Sequence, residues 1–285
     1  MKKVLITGGS GFVGRHLIAK LLDRYPDIEI FSMSRSEGII SRLLAECSDE
    51  RLKIIMGDIR DREIVEYASR DKDTVIHLAA MKRVDLSEIN CAEATSINVI
   101  GTMNILSAFH GDTFILMSTD KAVEPANCYG ATKLIAERLV MEKAHKTSGA
   151  RFMIIRSGNV MGSTGSVMEI WKNQIEASNE ITLTHPDMLR FYTSVDVVTN
   201  LYINVLEHGE NGKIYFVPSG EPIRLKELAE QAIRMYGNEK TRIKVVGLRP
   251  GERMYEKMRR DDEPNTVSGF ENYSGRIPQV DIRHN

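Results

Sequence analysis

The run Ser118-Thr119-Asp120-Lys121 is followed, eight residues after its lysine, by Tyr129-Gly130-Ala131-Thr132-Lys133. Together they hold five reactive side chains of the kinds that oxidise and dehydrate a hydroxylated ring. Tyr129 and Lys133 stand four apart at the head of an amphipathic segment, so a helix puts them on one face. A cation beside the phenol lowers its pKa toward working pH and makes it a base for a hydroxyl proton. The same spacing is common on ordinary helix surfaces, so the pair gains meaning only from its neighbours.

The first neighbour is the N-terminus. Thr7-Gly8-Gly9-Ser10-Gly11-Phe12-Val13-Gly14 follows the apolar run Val4-Leu5-Ile6 and opens the segment His16 to Leu22, which predicts strand, tight turn and helix. Glycines there let backbone N–H groups approach a pyrophosphate at the positive end of the helix dipole. Gly8, Ser10, Gly11, Phe12, Val13 and Gly14 are therefore expected to hold a dinucleotide. At the second strand end, Phe31-Ser32-Met33-Ser34-Arg35-Ser36 offers hydroxyls and a guanidinium where NAD enzymes usually carry an acid. Ser34 and Arg35 suit a ribose 2′-phosphate, so the expected cofactor is NADP. Asp58 and Ile59 end the third strand beside the adenine, and the small Ala79 and Ala80 after the fourth admit the cofactor closely. Lys82, Asn98, Tyr129 and Lys133 complete the expected cofactor contacts.

These residues need a scaffold that gathers strand ends. Apolar runs at Val4 to Ile6, Ile28 to Met33, Leu52 to Met56, Val75 to Leu78, Phe114 to Met117 and Phe152 to Ile155 alternate with helical patterns. The longest of those patterns are Glu93 to Phe109 and Tyr129 to His145. Such alternation predicts an α/β fold, a Rossmann-type doubly wound parallel sheet. After about residue 160 the rhythm breaks into polar loops, a helix near Val167 to Ala177, a late strand Lys213 to Val217 and a helix Leu225 to Tyr236. Residues 1–160 are expected to bind the cofactor, and residues 161–285 mainly to form a smaller substrate-binding lobe, the chain re-entering the main sheet near 213–217. From Pro264 the chain is polar with few apolar anchors, which predicts an extended or poorly ordered arm.

Composition narrows the classes. With 285 residues, 42% of them hydrophobic, the chain can bury a sizeable core. A formal charge of -1 with interspersed signs offers no surface for nucleic acid or membrane. Cys47, Cys91 and Cys128 are odd in number and form no Cys-x-x-Cys pair, which argues against disulfides or a metal site and for the cytoplasm. No signal peptide precedes Val4, and no apolar stretch approaches the roughly 20 residues that span a bilayer.

His77-Leu78-Ala79-Ala80-Met81-Lys82, the block Ser118 to Lys133, Arg156-Ser157-Gly158-Asn159-Val160-Met161-Gly162-Ser163, Met188-Leu189-Arg190-Phe191 and Leu248-Arg249-Pro250-Gly251-Glu252 carry a family resemblance. The chain resembles the extended short-chain dehydrogenase/reductases, and among them the soluble inverting UDP-N-acetylglucosamine 4,6-dehydratases. Asp120-Lys121 is the specific part. Sugar-nucleotide epimerases usually lack such a pair, and deoxythymidine-diphosphate-glucose dehydratases carry Asp-Glu.

The resemblance implies that Thr119, Tyr129 and Lys133 serve oxidation at C4 of the sugar, and that Asp120 and Lys121 serve loss of water across C5–C6. It implies a neutral Lys121 taking the C5 proton, a protonated Asp120 giving its proton to the 6-hydroxyl, and hydride returning to C6. Lys82, Asn159, Arg190, Arg249 and Glu252 would meet the UDP-sugar, with the two arginines as diphosphate clamps. A homo-oligomer, dimer or hexamer, and a place in surface polysaccharide or nonulosonate synthesis are also implied. So is inversion at C5, since membrane-linked retaining relatives tend to carry methionine where Tyr129 stands. Ser157 in place of a usual tyrosine, and Arg253-Met254-Tyr255-Glu256 in place of Lys-Leu-His-Glu, are departures that bear on uridine and acetamido recognition. Two other functions stay open. A UDP-sugar 4-epimerase has no use for Asp120-Lys121, and a cofactor-binding regulatory protein needs no reactive set at all.

Overall fold

The apolar runs form strands β1 (Lys3–Thr7), β2 (Glu29–Ser34), β3 (Leu52–Met56), β4 (Thr74–His77), β5 (Thr113–Thr119) and β6 (Arg151–Ser157). They belong to a computed structural model in which residues 1–217 and 220–268 are described. Shorter strands follow: β7 (Asn159–Val160), β8 (Glu180–Leu183), β9 (Leu189–Arg190), β10 (Tyr192–Thr193), β11 (Ile214–Phe216), β12 (Ile223–Arg224), β13 (Arg242–Val245) and β14 (Thr266–Ser268). The helices are α1 (Phe12–Arg24), α2 (Glu37–Glu46), α3 (Arg62–Ser69), α4 (Val84–Ile89), α5 (Cys91–Thr95), α6 (Gly101–Ala108), α7 (Cys128–Lys146), α8 (Val167–Ser178), α9 (Val195–His208) and α10 (Leu225–Tyr236).

The main sheet runs β14-β11-β6-β5-β4-β1-β2-β3, with every neighbouring pair parallel. Strand order reverses between β1 and β4, which opens a crevice at the strand C-termini where ligands of such sheets gather. The turns after β1, β4 and β5 all reach that edge. β11 re-enters the sheet beside β6, as the late apolar run implied. The polar tail differs from expectation, because residues 266–268 pair with β11 as the edge strand β14. Backbone hydrogen bonds hold this stretch where apolar anchors are few; residues 269–285 lie outside the described residues.

Strands covered on both faces read as continuous apolar runs. Leu5, Val75, Phe114, Leu116, Phe152 and Ile154 face Val65, Ile105 and Val140 from α3, α6 and α7. On the opposite face, Val4, Ile6, Ile76, Ile115, Met153 and Ile155 meet Leu17 and Leu21 of α1 and Val198, Leu201 and Val205 of α9. A separate core serves the smaller lobe, where Trp171 packs with Ile181 and Leu228 and donates its indole N–H to the Thr182 carbonyl at 2.8 Å.

Two features position the site. The expected helix Glu93 to Phe109 is α5 and α6 joined through a π-helical turn, Ser96–Ile100. That turn carries the buried Asn98, which accepts from Met81 N at 2.8 Å and donates to Met81 O and Thr132 Oγ1, each at 3.0 Å. Asn98 thereby fixes the segment after β4 to α7. Arg156 of β6, fully buried, donates to Glu137 of α7 at 2.8 and 2.7 Å and to Glu263, just before β14, at 2.6 and 3.0 Å. The cluster ties α7 to the sheet and to the C-terminal segment. Removing one partner from such a cluster strands a buried charge and costs about 3–5 kcal/mol.

Candidate active site

α7 starts at an Asn127 cap whose side chain accepts from Gly130 N at 2.7 Å. Gly130 is required there by close approach: a Cβ would stand 2.3 Å from the Lys121 carbonyl oxygen. The turn after β5 can thus lie directly on the head of α7, which brings the 118–121 run to Tyr129. Thr119 Oγ1 accepts from Lys121 N at 3.4 Å and donates to Asp120 Oδ1 at 2.9 Å. Lys121 Nζ donates to that same Asp120 oxygen at 3.1 Å and to Glu256 Oε2 at 3.0 Å.

Charges in this buried group set one another. Burial opposes the Lys121 ammonium, but Asp120 and Glu256 hold it well above ordinary lysine. Burial likewise opposes the Asp120 carboxylate, and Lys121 outweighs it, so Asp120 lies below its usual range. The resting pair is therefore a salt bridge, not the neutral lysine and protonated aspartate that elimination uses. Burial pushes the Tyr129 phenol up to about 12, with Lys121 the main opposing influence and Thr119 a smaller one. The cation acting on the phenol is thus Lys121, where the sequence pointed to Lys133. Burial lowers Lys133 to about 8, against the pull of Glu137 one turn on.

His77 locks the end of β4. Thr102 Oγ1 spends its hydrogen on the Asn98 carbonyl at 2.6 Å, so it accepts from His77 Nε2 at 3.0 Å, and His77 Nδ1 accepts from Thr7 Oγ1 at 2.6 Å. The ring is neutral, pushed down to about 3 by burial with Lys133 adding to the effect.

At the turn after β1, Gly8 has φ +71°, and a Cβ on it would come within 2.8 Å of Ala79 N. The β1 and β4 turns touch backbone to backbone. Gly11 caps α1 without a side-chain hydrogen bond, and the buried Ser10 hydroxyl has no partner among the described residues. Uncapped N–H groups and an unsatisfied hydroxyl at a helix N-terminus fit a diphosphate. Phe12 and Val13 open α1, packing partly buried against the core of that face. Ser34 Oγ accepts from Ser10 N at 3.3 Å. Arg35 is largely exposed, 3.6 Å from Asp58, whose carboxylate is held chiefly by Arg60 at 2.7 Å. Arg60 is a second guanidinium beside Asp58, one that sequence reasoning passed over.

The polysaccharide biosynthesis protein family matches residues 4–276. The chain belongs to that family. It is an extended short-chain dehydrogenase/reductase, 33% identical over 288 residues to a UDP-N-acetylglucosamine 4,6-dehydratase (inverting) of Campylobacter jejuni, covering 99% of this chain and 84% of that one. It is 36% identical over 265 residues to a UDP-glucose 4-epimerase of Rickettsia akari, covering 90% and 77%. A protein of Methanocaldococcus jannaschii named as an uncharacterized membrane protein is 37% identical over 274 residues, covering 92% and 81%. The chain spans about half the length of two further curated relatives. The X-ray structure of Pen from Bacillus thuringiensis superposes with a TM-score of 0.86 at 36% identity, covering 90% of this chain and 81% of that one. Among the described residues, no helix is long and apolar enough to cross a membrane.

In this family member several expected contacts are otherwise engaged. Arg190, 8% exposed, spends its guanidinium on the carbonyls of Leu189 and Arg253 at 2.8 Å and Met254 at 3.5 Å, with Glu256 3.5 Å from Nε. It clamps the C-terminal segment, so a diphosphate clamp does not fit it. Asn98 is committed to Met81 and Thr132, and the Ile59 side chain is buried in the α3–α6 core. Both hold the cofactor crevice in shape without offering it a side chain. Glu252 accepts from Arg249 N at 2.9 Å and closes that turn, leaving the exposed Arg249 guanidinium outward. Lys82 Nζ donates to the Thr164 carbonyl at 3.0 Å, bridging the two lobes, and Asn159 Nδ2 donates to Phe191 O at 3.1 Å.

Proposed function

We propose that this chain is an NADP-dependent UDP-N-acetylglucosamine 4,6-dehydratase that inverts C5, acting in surface polysaccharide or nonulosonate synthesis. The observation that carries the reading is Asp120 and Lys121 paired in one buried cluster beside Tyr129. Residues 1–160 hold the cofactor and residues 161–285 mainly the sugar. A bound nicotinamide supplies the hydride acceptor at C4 and the hydride donor at C6. Tyr129 takes the 4-hydroxyl proton, and Thr119 orients that hydroxyl. Lys133, lowered toward neutrality, supports the phenolate. The resulting 4-ketone acidifies C5, so a base as modest as Lys121 removes that proton while Asp120 protonates the departing 6-hydroxyl. A proton then returns to C5 from the face opposite the one it left, which inverts the centre.

A 4-epimerase, as the Rickettsia relative is named, needs Tyr129 and Lys133 but has no use for Asp120 and Lys121. The buried Asp120-Lys121 pair favours the dehydratase, because burying charges without use is costly. A silent regulatory protein would have no reason to keep them. Incubation with UDP-N-acetylglucosamine decides it: a product lighter by one water supports the dehydratase, and one of unchanged mass supports the epimerase. Proton coupling constants of the product report the configuration at C5.

Cofactor choice rests on Arg35 and Ser34 at the end of β2, with Arg60 beside them. Arg35→Asp is expected to weaken NADP by about 10–100-fold, the worth of a hydrogen bond to a charged group, with far less effect on NAD. Fluorescence titration of both cofactors checks it, and an unchanged ratio rejects the NADP assignment. Ile100, Met103 and Ile135 leave apolar side chains exposed on the 91–108 helical run and on α7. They support a homo-oligomer, expected to exceed 32.1 kDa in light scattering at micromolar concentration. The free cysteines and the soluble metabolites of the reaction fit a cytoplasmic enzyme.

A further inference from the structure

Glu256 lies on the segment between β13 and β14, 8% exposed, and its carboxylate takes one side of the Lys121 ammonium while Asp120 takes the other. Two carboxyls bracket one cation. The segment is clamped there by Arg190, whose Nε is 3.5 Å from Glu256 Oε1. Asp120 Oδ1 is satisfied by Thr119 and Lys121, whereas Oδ2 is buried with no hydrogen-bond donor among the described residues. Glu256 stands within hydrogen-bonding reach of Asp120. A buried carboxylate oxygen is costly to leave unpaired, and a proton held by the neighbouring carboxyl removes that cost.

We propose that Glu256 is a positioning residue for the elimination step, holding a proton against Asp120 so that Lys121 faces one carboxylate instead of two. The inference rests on the dehydratase reading. With both carboxylates charged, Lys121 cannot release its proton easily and is a poor base. With Glu256 protonated, an N–H bond of Lys121 breaks and an O–H bond forms on Asp120, which leaves a free lone pair on Lys121. That lone pair takes the C5 proton, the C5–H electron pair becomes the C5–C6 double bond, and the C6–O6 bond breaks. O6 keeps the bonding pair, receives the Asp120 proton and leaves as water. Glu256 keeps its own proton throughout.

The groups facing Glu256 are Lys121 and Asp120 from the turn after β5, Tyr129 from α7, Arg190 from β9 and Tyr192 from β10. Arg253 and Lys257 on its own segment are taken up by Glu124 at 2.7 Å each. Burial pushes Glu256 up to about 7; Asp120 adds to the rise, and Lys121 and Arg190 oppose it. A carboxyl raised in this way is protonated below that pH and ionised above it. Elimination is therefore expected to fall about tenfold per pH unit above about 7.

Single-turnover decay of reduced nicotinamide after its rise with UDP-N-acetylglucosamine, which reports elimination and hydride return apart from the oxidation before them, tests this from about pH 6 to about pH 9 in the wild type, Glu256→Ala and Glu256→Gln. The alanine variant should lose at least about tenfold below about pH 7, since Asp120 Oδ2 loses the proton that Glu256 holds against it. Glutamine has the shape of the protonated acid and cannot ionise, so it should recover activity over alanine and abolish the alkaline fall. A glutamine variant that keeps the alkaline fall overturns the proposal. So does one no better than alanine that still reduces bound cofactor at the wild-type rate. Should the variants not fold, a wild-type profile flat across the range overturns it, and a fall through about pH 7 supports it. Wild-type protein that releases no water at all sinks the dehydratase reading itself and the proposal with it.

Discussion

Replacing Lys121 by alanine is expected to stop water loss while hydride transfer to bound NADP continues. General acid–base groups contribute about 10²–10⁴-fold, and loss of dehydration in that range is the expected size. The first half-reaction uses Tyr129 and Lys133, neither of which hydrogen-bonds the Lys121 ammonium, whose partners are Asp120 and Glu256; loss of the Lys121 charge raises the Tyr129 phenol further, which slows this step without stopping it. Transient absorbance of reduced nicotinamide should therefore appear and persist, because the 4-ketone has no base at C5. In deuterated water the wild type should place deuterium at C5 of a product lighter by one water, and the variant should place none. Dehydration by Lys121→Ala at near wild-type rate would mean that another group takes the C5 proton. Glu256 would then be the first candidate, as the carboxyl already beside it.

The lines of the fold were readable because both faces of the central strands are buried, so apolar runs mark them without ambiguity. The runs Val4 to Ile6 and Phe114 to Met117 fall inside the central strands β1 and β5, and the glycine turn matches because only glycine permits the contact of Gly8 with Ala79. The local block 118–133 was readable for a similar reason, since its parts are neighbours in sequence. What escaped is what comes from far along the chain. Glu256 lies 135 residues from the lysine that it pairs with, and no spacing rule spans that distance. Arg190 and Arg249 look alike in sequence, but one is buried against backbone carbonyls and the other is exposed. Composition cannot tell a guanidinium spent on backbone carbonyls from one left exposed. The same limit hid the resting charge state, because Asp120 and Lys121 hold each other ionised through a geometry that adjacent letters do not reveal.

Tyr129→Phe should remove the step that Lys121→Ala spares. In the resting chain the phenol is raised to about 12, chiefly by burial, so it is protonated at neutral pH and the fraction able to accept a proton is small. A raised phenol ionises only as pH climbs, so the rate of nicotinamide reduction in the wild type should increase with pH, by up to about tenfold per unit while the phenol stays protonated. Phenylalanine keeps the ring and its packing but offers no oxygen. Reduction of bound NADP is expected to drop by about 10²–10⁴-fold and to lose its rise with pH. Without a 4-ketone the C5 proton is no longer acidic, so Tyr129→Phe should also show no deuterium at C5 although Asp120, Lys121 and Glu256 are intact. A burst of reduced nicotinamide close to wild-type size in this variant would remove Tyr129 from the role. Exchange at C5 without any such burst would show instead that proton removal does not wait for the ketone, and the order of the two half-reactions would have to be reversed.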